Sequence, residues 1–472
     1  MSISPNLTSP ATDTPHTRLR TSAALIVLVL VQFLVVFNGT SGNLALPDAM
    51  RDLHLSEGLA VWVVSGYVLS FGGLILLGGR LADIVGRRRL LLIGVVIFGV
   101  AATIAGLAPN GFVLVGARVL QGVGAAAMAP GALALISITF PEIAARRRAL
   151  GVWGAVASAG SGLGVIGGGA LTAWFGWRAA LLVNLPFAIV LLIAIPIVIA
   201  AAPAVKGSHA SATGALLSVL GLGSLIAGLT VGSEAGWTAV STLVLLTIGV
   251  VLLVALVALE PASSHPFIPR HLLTRWPSAG GPIAILAGGF ALYPLMLTAS
   301  VLLQTELGYS PLAAGAMILP ISVATLLGAT FTPRIVARLG ALRPVLIGLL
   351  TAAIGTAAFA VTAASGTSLA TFLPATILFG VGMGITITSA ITLTLSGAAP
   401  AEYGTASGLA QTGQQLGGAL GLTLITALTA GAATRSDTDA GYGIGLGISA
   451  VVVLLGITII AIGNRHRHAA AS

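Results

Sequence analysis

The chain has 472 residues, of which 57% are hydrophobic and only 7% charged, with a formal net charge of +9 and no cysteine. A soluble domain carries about 25% charged residues, so a water-soluble globule is excluded. The lack of cysteine excludes disulfides, thiolate metal sites and cysteine nucleophiles, and the scattered arginines read as topology signals rather than a nucleic-acid footprint.

The apolar runs are continuous rather than alternating, which predicts membrane helices and not a barrel. Residues 1–21 are polar and predict a disordered tail. Fourteen spans follow, at 22–46, 59–78, 90–107, 111–138, 149–173, 179–201, 212–232, 239–259, 280–303, 312–333, 342–363, 369–395, 403–430 and 441–463, with a short tail at 464–472. The first run is too long for a signal-peptide core and predicts a retained helix.

The first span contains FNGTSGNLALP, with Asn38, Thr40 and Asn43. Between spans two and three stands GRLADIVGRRRL, where Gly79, Arg80, Asp83, Gly86, Arg87 and Arg88 crowd together. Charge beside hydrocarbon is costly and marks function or orientation. Gly86 suits a tight turn, and Asp83 could pair with an arginine or face a helix N-terminus of the other half. A mere topology anchor is the alternative. The fourth span carries RVLQGVGAA, with Arg118 about two turns into an apolar helix, followed by Gln121. A buried guanidinium needs acceptors; snorkelling to the interface is the other reading. In the fifth span Gly160, Gly164, Gly168 and Gly169 suit close helix packing. In the thirteenth, Gln411 and Gln415 share a face and either line a cavity or bond to another helix. Trp62, Tyr67, Trp153 and Tyr293 are aromatic candidates for a substrate cavity, or ordinary packing groups.

With the N-terminus inside, seventeen basic residues fall in inner loops against three outside, Arg51, Arg178 and Arg435. This predicts both termini on the cytoplasmic side. The chain also repeats: Gly86, Arg89, Ile93 and Gly94 match Gly340, Arg343, Ile347 and Gly348, with Arg80 matching Arg334 and Ala337 standing where Asp83 would be. The offset predicts two six-helix bundles, 22–201 and 280–463, separated by a segment at 202–279 that holds two inserted helices. There is no GxxxxGK[ST] phosphate loop and no long soluble insertion, which argues against an ATP-driven pump and against a receptor.

These motifs resemble the major facilitator superfamily, specifically its fourteen-helix drug:proton antiporter branch, over nearly the whole chain. The resemblance implies an all-α polytopic membrane protein and a bacterial inner-membrane secondary transporter. It would export drug-like small molecules, antibiotics among them, by alternating access and proton antiport. It implies that the block at Gly79–Arg88 latches the outward-open state and that Arg118 takes part in proton coupling. No catalytic residue, cofactor, metal or nucleic acid is expected. The expected partners are a small-molecule substrate, protons and the lipid bilayer, with the chain acting as a monomer.

Two positions depart from that branch. Val165 stands where its helix 5 signature has proline, and Asn38 where it has aspartate. Asparagine neither titrates nor carries charge. The acidic residues and histidines all lie in tails, loops or span ends, so the predicted cavity is neutral or positive. It would suit neutral or anionic substrates. A metabolite exporter of the same fold, or an uncoupled facilitator, is the alternative.

Overall fold

The computed structural model describes residues 15–200, 211–259, 266–276, 278–305, 307–309, 311–365, 368–433 and 438–471. Its first half comprises α1 (Pro15–Asp52), α2 (Glu57–Val85), α3 (Arg87–Gly106), α4 (Gly111–Thr139), α5 (Ile143–Phe175), α6 (Trp177–Leu182) and α7 (Asn184–Val198). Between the halves lie α8 (Ala212–Ala235), α9 (Val240–Leu259) and the short α10 (Arg270–Thr274). The second half comprises α11 (Gly280–Thr305), α12 (Pro311–Leu339), α13 (Leu342–Ser365), α14 (Leu369–Ser396), α15 (Tyr403–Ala433) and α16 (Thr438–Ala471).

Among the described residues, 13 helical stretches are long and apolar enough to cross a membrane, with α6 and α7 counting as one. The 31-residue α15 is not among those 13. With it, the spans number the fourteen expected.

Helix ends differ from the expected ones for local reasons. Residues 15–21, expected as tail, open α1, with Pro15 at a first-turn position that needs no N–H donor. Residues 464–471, also expected as tail, continue α16. The sixth span is broken at Val183. Pro186 has no N–H to offer the Leu182 carbonyl four residues back, and next to it the Asn184 side-chain amide donates to Leu181 O at 2.9 Å. Residues 201–210 and 260–265, within the two longer predicted linkers, lie outside the described part, as do Lys206 and Arg435.

The internal repeat has a structural counterpart. Helix α1 packs on α5, and α2 and α3 on α4; in the second half α11 packs on α15, and α12 and α13 on α14. Gly86 and Gly340 both take positive φ, 102° and 73°, at the turns into α3 and α13. Eight residues on, Gly94 abuts α4 at Gly124, and Gly348 abuts α14 at Gly382. Small residues let membrane helices approach closely, where dispersion rather than water expulsion holds them.

Gly122 offers a test of this packing. A Cβ there would run into Ser70 of α2 and lie 2.9 Å from the Phe71 backbone nitrogen. Gly122→Val is expected to destabilise the protein by about 3 kcal/mol, the upper end for overpacking, because backbone cannot rotate away. A melting temperature in detergent equal to the parent's would refute this.

The halves meet along two seams. In one, α5 lies against α12: Gly151 faces Ala329 and Pro333, and Gly162 faces Leu319 and Ser322. In the other, α2 lies against α15: Gly72 is near Gln415, and Gly79 is against Gly404 and Gly408. The inserted α8 covers this second seam. Its Gly223 lies against Gly73 of α2, and Ile226 sits over Gly72 next to Gln415. Helix α9 buries only Thr242, Gly249 and Leu256, a stripe at intervals of seven, against α8. Val244, Val251 and Val254 are among its exposed side chains.

Candidate functional site

Two polar constellations interrupt the apolar interior. The first closes the arginine-rich end of the α2–α15 seam. Asp83, in the last turn of α2, is 2% exposed. Its Oδ1 accepts from Arg87 Nη2 at 2.6 Å and Nε at 3.1 Å, and from Gly404 N at 3.0 Å. Its Oδ2 accepts from Thr405 N at 2.8 Å and Thr405 Oγ1 at 2.9 Å. Gly404 and Thr405 belong to the first turn of α15, where backbone N–H groups have no partner within the helix and the dipole is positive. The carboxylate therefore receives both an ion pair and a helix N-terminus. Arg87 completes the link by donating to Pro400 O at 2.7 Å.

The other motif residues serve this contact in different ways. Gly79 lets the backbones meet: a Cβ would strike the Gly404 carbonyl and lie 3.1 Å from Gly408 Cα. Gly86 makes the turn, which brings Arg87 one helical turn from Asp83. Arg80 leaves the group and donates to Pro266 O, 3.4 Å away in the linker; Arg88 donates to Pro196 O at 3.0 Å. A neighbouring bridge comes from α5, where Arg146 Nη1 donates to Tyr403 Oη at 3.2 Å and its guanidinium lies over that ring.

The second constellation is buried inside the first half. Arg118 is 1% exposed, so it does not snorkel. Its Nε donates to Val63 O at 3.1 Å, and its Nη1 to Gln121 Oε1 at 2.9 Å and Asn38 Oδ1 at 3.3 Å. Gln121 Nε2 and Asn184 Nδ2 also donate to Asn38 Oδ1, each at 3.2 Å. The Tyr67 ring lies under the guanidinium, 4.6 Å from its carbon, and Tyr67 Oη donates to Val35 O at 3.0 Å. Three helices, α1, α4 and α7, thus converge on one amide oxygen. Arg118's hydrogen-bond acceptors here are all neutral: a carbonyl and two amides.

The remaining candidates are dispersed. Thr40 turns its hydroxyl to Val36 O and Phe37 O of its own helix. The side chain of Asn43 lies outside the described residues. Gly160, Gly164, Gly168 and Gly169 pack against α1 at Phe33, Phe37, Ser41 and Leu44. The side chain of Val165 is likewise outside the described part. Gln415 accepts from Tyr293 Oη at 3.4 Å across helices, while Gln411 turns back to Ser407 O. Trp153 is in the apolar core and Trp62 is half-buried.

Sequence reasoning gave no role to Asn184, the one amide in its apolar run, nor to the turn at Pro400–Thr405. Trp177 and Arg178 both reach Asp52 at 3.1 Å, fastening the start of α6 to the end of α1.

The sequence profile of the Major Facilitator Superfamily matches residues 28–422. The chain belongs to this superfamily. It is a multi-pass membrane transporter rather than an enzyme. It is 36% identical to the puromycin resistance protein pur8 of Streptomyces alboniger over 86% of this chain and 82% of that one. It is 34% identical to the multidrug resistance protein Stp of Mycobacterium tuberculosis, covering 86% and 75%. It is 33% identical to the cephamycin export protein CmcT of Amycolatopsis lactamdurans, covering 89% and 88%. Among solved structures, the human organic anion transporter MFSD10 superposes with a TM-score of 0.67 over 95% of this chain and 100% of that one, at 15% identity. The proton:xylose symporter XylE does so with 0.67 over 94% and 95%, also at 15% identity. Those two likenesses speak for the superfamily's fold alone.

Proposed function

We propose that this chain exports drug-like small molecules, antibiotics among them, across the bacterial inner membrane by alternating access. Both termini face the cytoplasm, and the monomer is the working unit. The observation that carries the reading is the similarity, over most of the chain, to proteins whose names state antibiotic resistance or export. The arginine-rich end is then the inner end. The Asp83–Arg87–Thr405 contact is a latch that holds it shut while the cavity opens outward. Arg118 is the fixed positive charge near the cavity, which favours neutral and anionic substrates.

Proton antiport is the default coupling. A second reading, a carrier without proton coupling, is favoured by one observation: the acceptors around Arg118 include no carboxylate, because Asn38 stands there. Energised inverted vesicles containing the protein separate the two. Under antiport, adding substrate releases protons, and Arg118→Ala abolishes the release. Transport without proton release would overturn antiport and leave the facilitator. No transport of any neutral, anionic or cationic drug would overturn the export reading itself.

A further inference from the structure

The linker between the inserted pair and the second half does more than connect. Phe267, Ile268 and Leu272 are buried, which seats α10 against the arginine-rich end. One residue before Phe267, Pro266 O accepts from Arg80 of the latch motif. On α10 itself, His271 Nε2 lies 2.9 Å from Glu402 Oε2. A carboxylate only accepts, so this histidine nitrogen carries the proton. The linker is therefore fastened to both halves, to α2 through Arg80 and to the entrance of α15 through Glu402.

Glu402 is the pivot of the turn that receives the latch. Its backbone N–H donates to Ala399 O at 2.8 Å, and its Oε2 accepts from Ala399 N at 3.0 Å. These two bonds close residues 399–402 into a single 3-10 turn. Pro400 in this turn supplies the carbonyl that Arg87 uses, and the next residues supply the Gly404 and Thr405 donors for Asp83. An unengaged Glu402 carboxylate would also compete with Asp83 for Arg87, two residues from the Pro400 contact.

We propose that His271 is a positioning residue of the inner latch. By holding Glu402, it fixes the 399–402 turn so that Pro400 O and the N–H groups of Gly404 and Thr405 point at Arg87 and Asp83. Loosening it weakens the closed inner end without touching Asp83, Arg87 or the substrate cavity. This inference rests on the latch reading given under the proposed function.

The absence of cysteine in the chain makes the test direct. Leu76 is buried in the α2–α15 seam beside Gly408, so Leu76→Cys reports opening of that seam. Full-length protein in inverted vesicles is labelled with a membrane-impermeant maleimide. His271→Ala is expected to raise the labelling rate about three- to tenfold, the scale of losing one ordinary, partly exposed hydrogen bond. His271→Gln, whose amide nitrogen can occupy the place of Nε2, is expected to restore the parental rate. Glu402→Gln keeps the shape and loses the charge, and is expected to raise labelling as well. It carries the test if His271→Ala fails to reach the membrane.

Asp83→Asn in the same background separates the two ideas. If it labels faster while His271→Ala and Glu402→Gln label like the parent, the role of His271 is overturned and the latch stands. If Asp83→Asn labels like the parent, the latch reading falls and this inference with it. A His271→Gln variant that labels as fast as His271→Ala overturns the hydrogen bond as the cause.

Discussion

Asp83→Asn is expected to release the inner end of the transporter and to reduce export by at least about a hundredfold. The carboxylate is almost fully buried, and it accepts five contacts from Arg87, Gly404 and Thr405. The amide keeps one acceptor oxygen and turns an NH2 group toward donors. It also leaves Arg87 buried without its counter-charge. Breaking a buried pair by removing one partner costs about 3–5 kcal/mol. That cost falls only on the closed state, so it shifts the closed-to-open ratio by more than about two orders of magnitude. The carrier would remain inward-open and bind substrate without delivering it. Labelling of Leu76→Cys from the cytoplasmic side measures the first effect, and efflux of preloaded substrate the second. Unchanged labelling with lost efflux would mean that Asp83 acts in some other step.

Asn38→Asp is the second large effect, and its sign is opposite for stability. Asn38 Oδ1 now accepts from Arg118, Gln121 and Asn184 at 3.2–3.3 Å, more donors than its two lone pairs can serve well. The other side-chain atom, Nδ2, is buried without a partner. A carboxylate would spread those donors over two oxygens and place a negative charge beside a guanidinium that currently has neutral acceptors. Arg118 has already lost its water, so the added counter-charge offsets a cost the protein bears now. The variant is expected to melt higher, by the equivalent of about 2 kcal/mol. It would also cancel the positive charge near the cavity. At roughly 10 Å and an effective dielectric constant near 20, one unit charge is worth about 1.7 kcal/mol. Cationic substrates should therefore gain over anionic ones by about tenfold or more. Uptake of matched cationic and anionic compounds into inverted vesicles reads this directly. A melting temperature and selectivity both equal to the parent's would remove Arg118 from any electrostatic role in substrate choice.

The spans were legible because hydrocarbon tolerates so few polar groups: long apolar runs bounded by arginines have no other economical reading. The repeat was legible for the same reason that it matters physically. Gly86 and Gly340 must turn the chain, and Gly94 and Gly348 must admit a neighbouring helix, so those positions persist while the rest drifts. Asp83 could be singled out because Ala337 replaces it in the second copy. Its receiver could not. The donors on Gly404 and Thr405 are mostly backbone N–H groups, which every residue but proline carries. Asn184 was visible as an amide in an apolar run, but nothing in its spacing relative to Asn38 says that they meet. The docking of α10 was illegible as well, since five residues carry too little periodicity to reveal a buried face.

The two seams between the halves do not offer the bilayer the same surface. Along α2 and α15, the inserted α8 stands outside the joint, matched to α2 through the Gly73–Gly223 approach and bringing Ile226 to Gly72, where Gln415 of α15 also comes near. If α2 and α15 part as proposed, an α8 that keeps its glycine contact with α2 would screen the widening gap from acyl chains. Among the described residues, neither inserted helix packs extensively along α5 and α12. If the carrier opens as proposed, an amphiphile dissolved in one leaflet would meet the less covered joint at the α5–α12 flank. Exposed apolar side chains stand on both helices of that flank, Leu163 on α5 and Phe331 on α12.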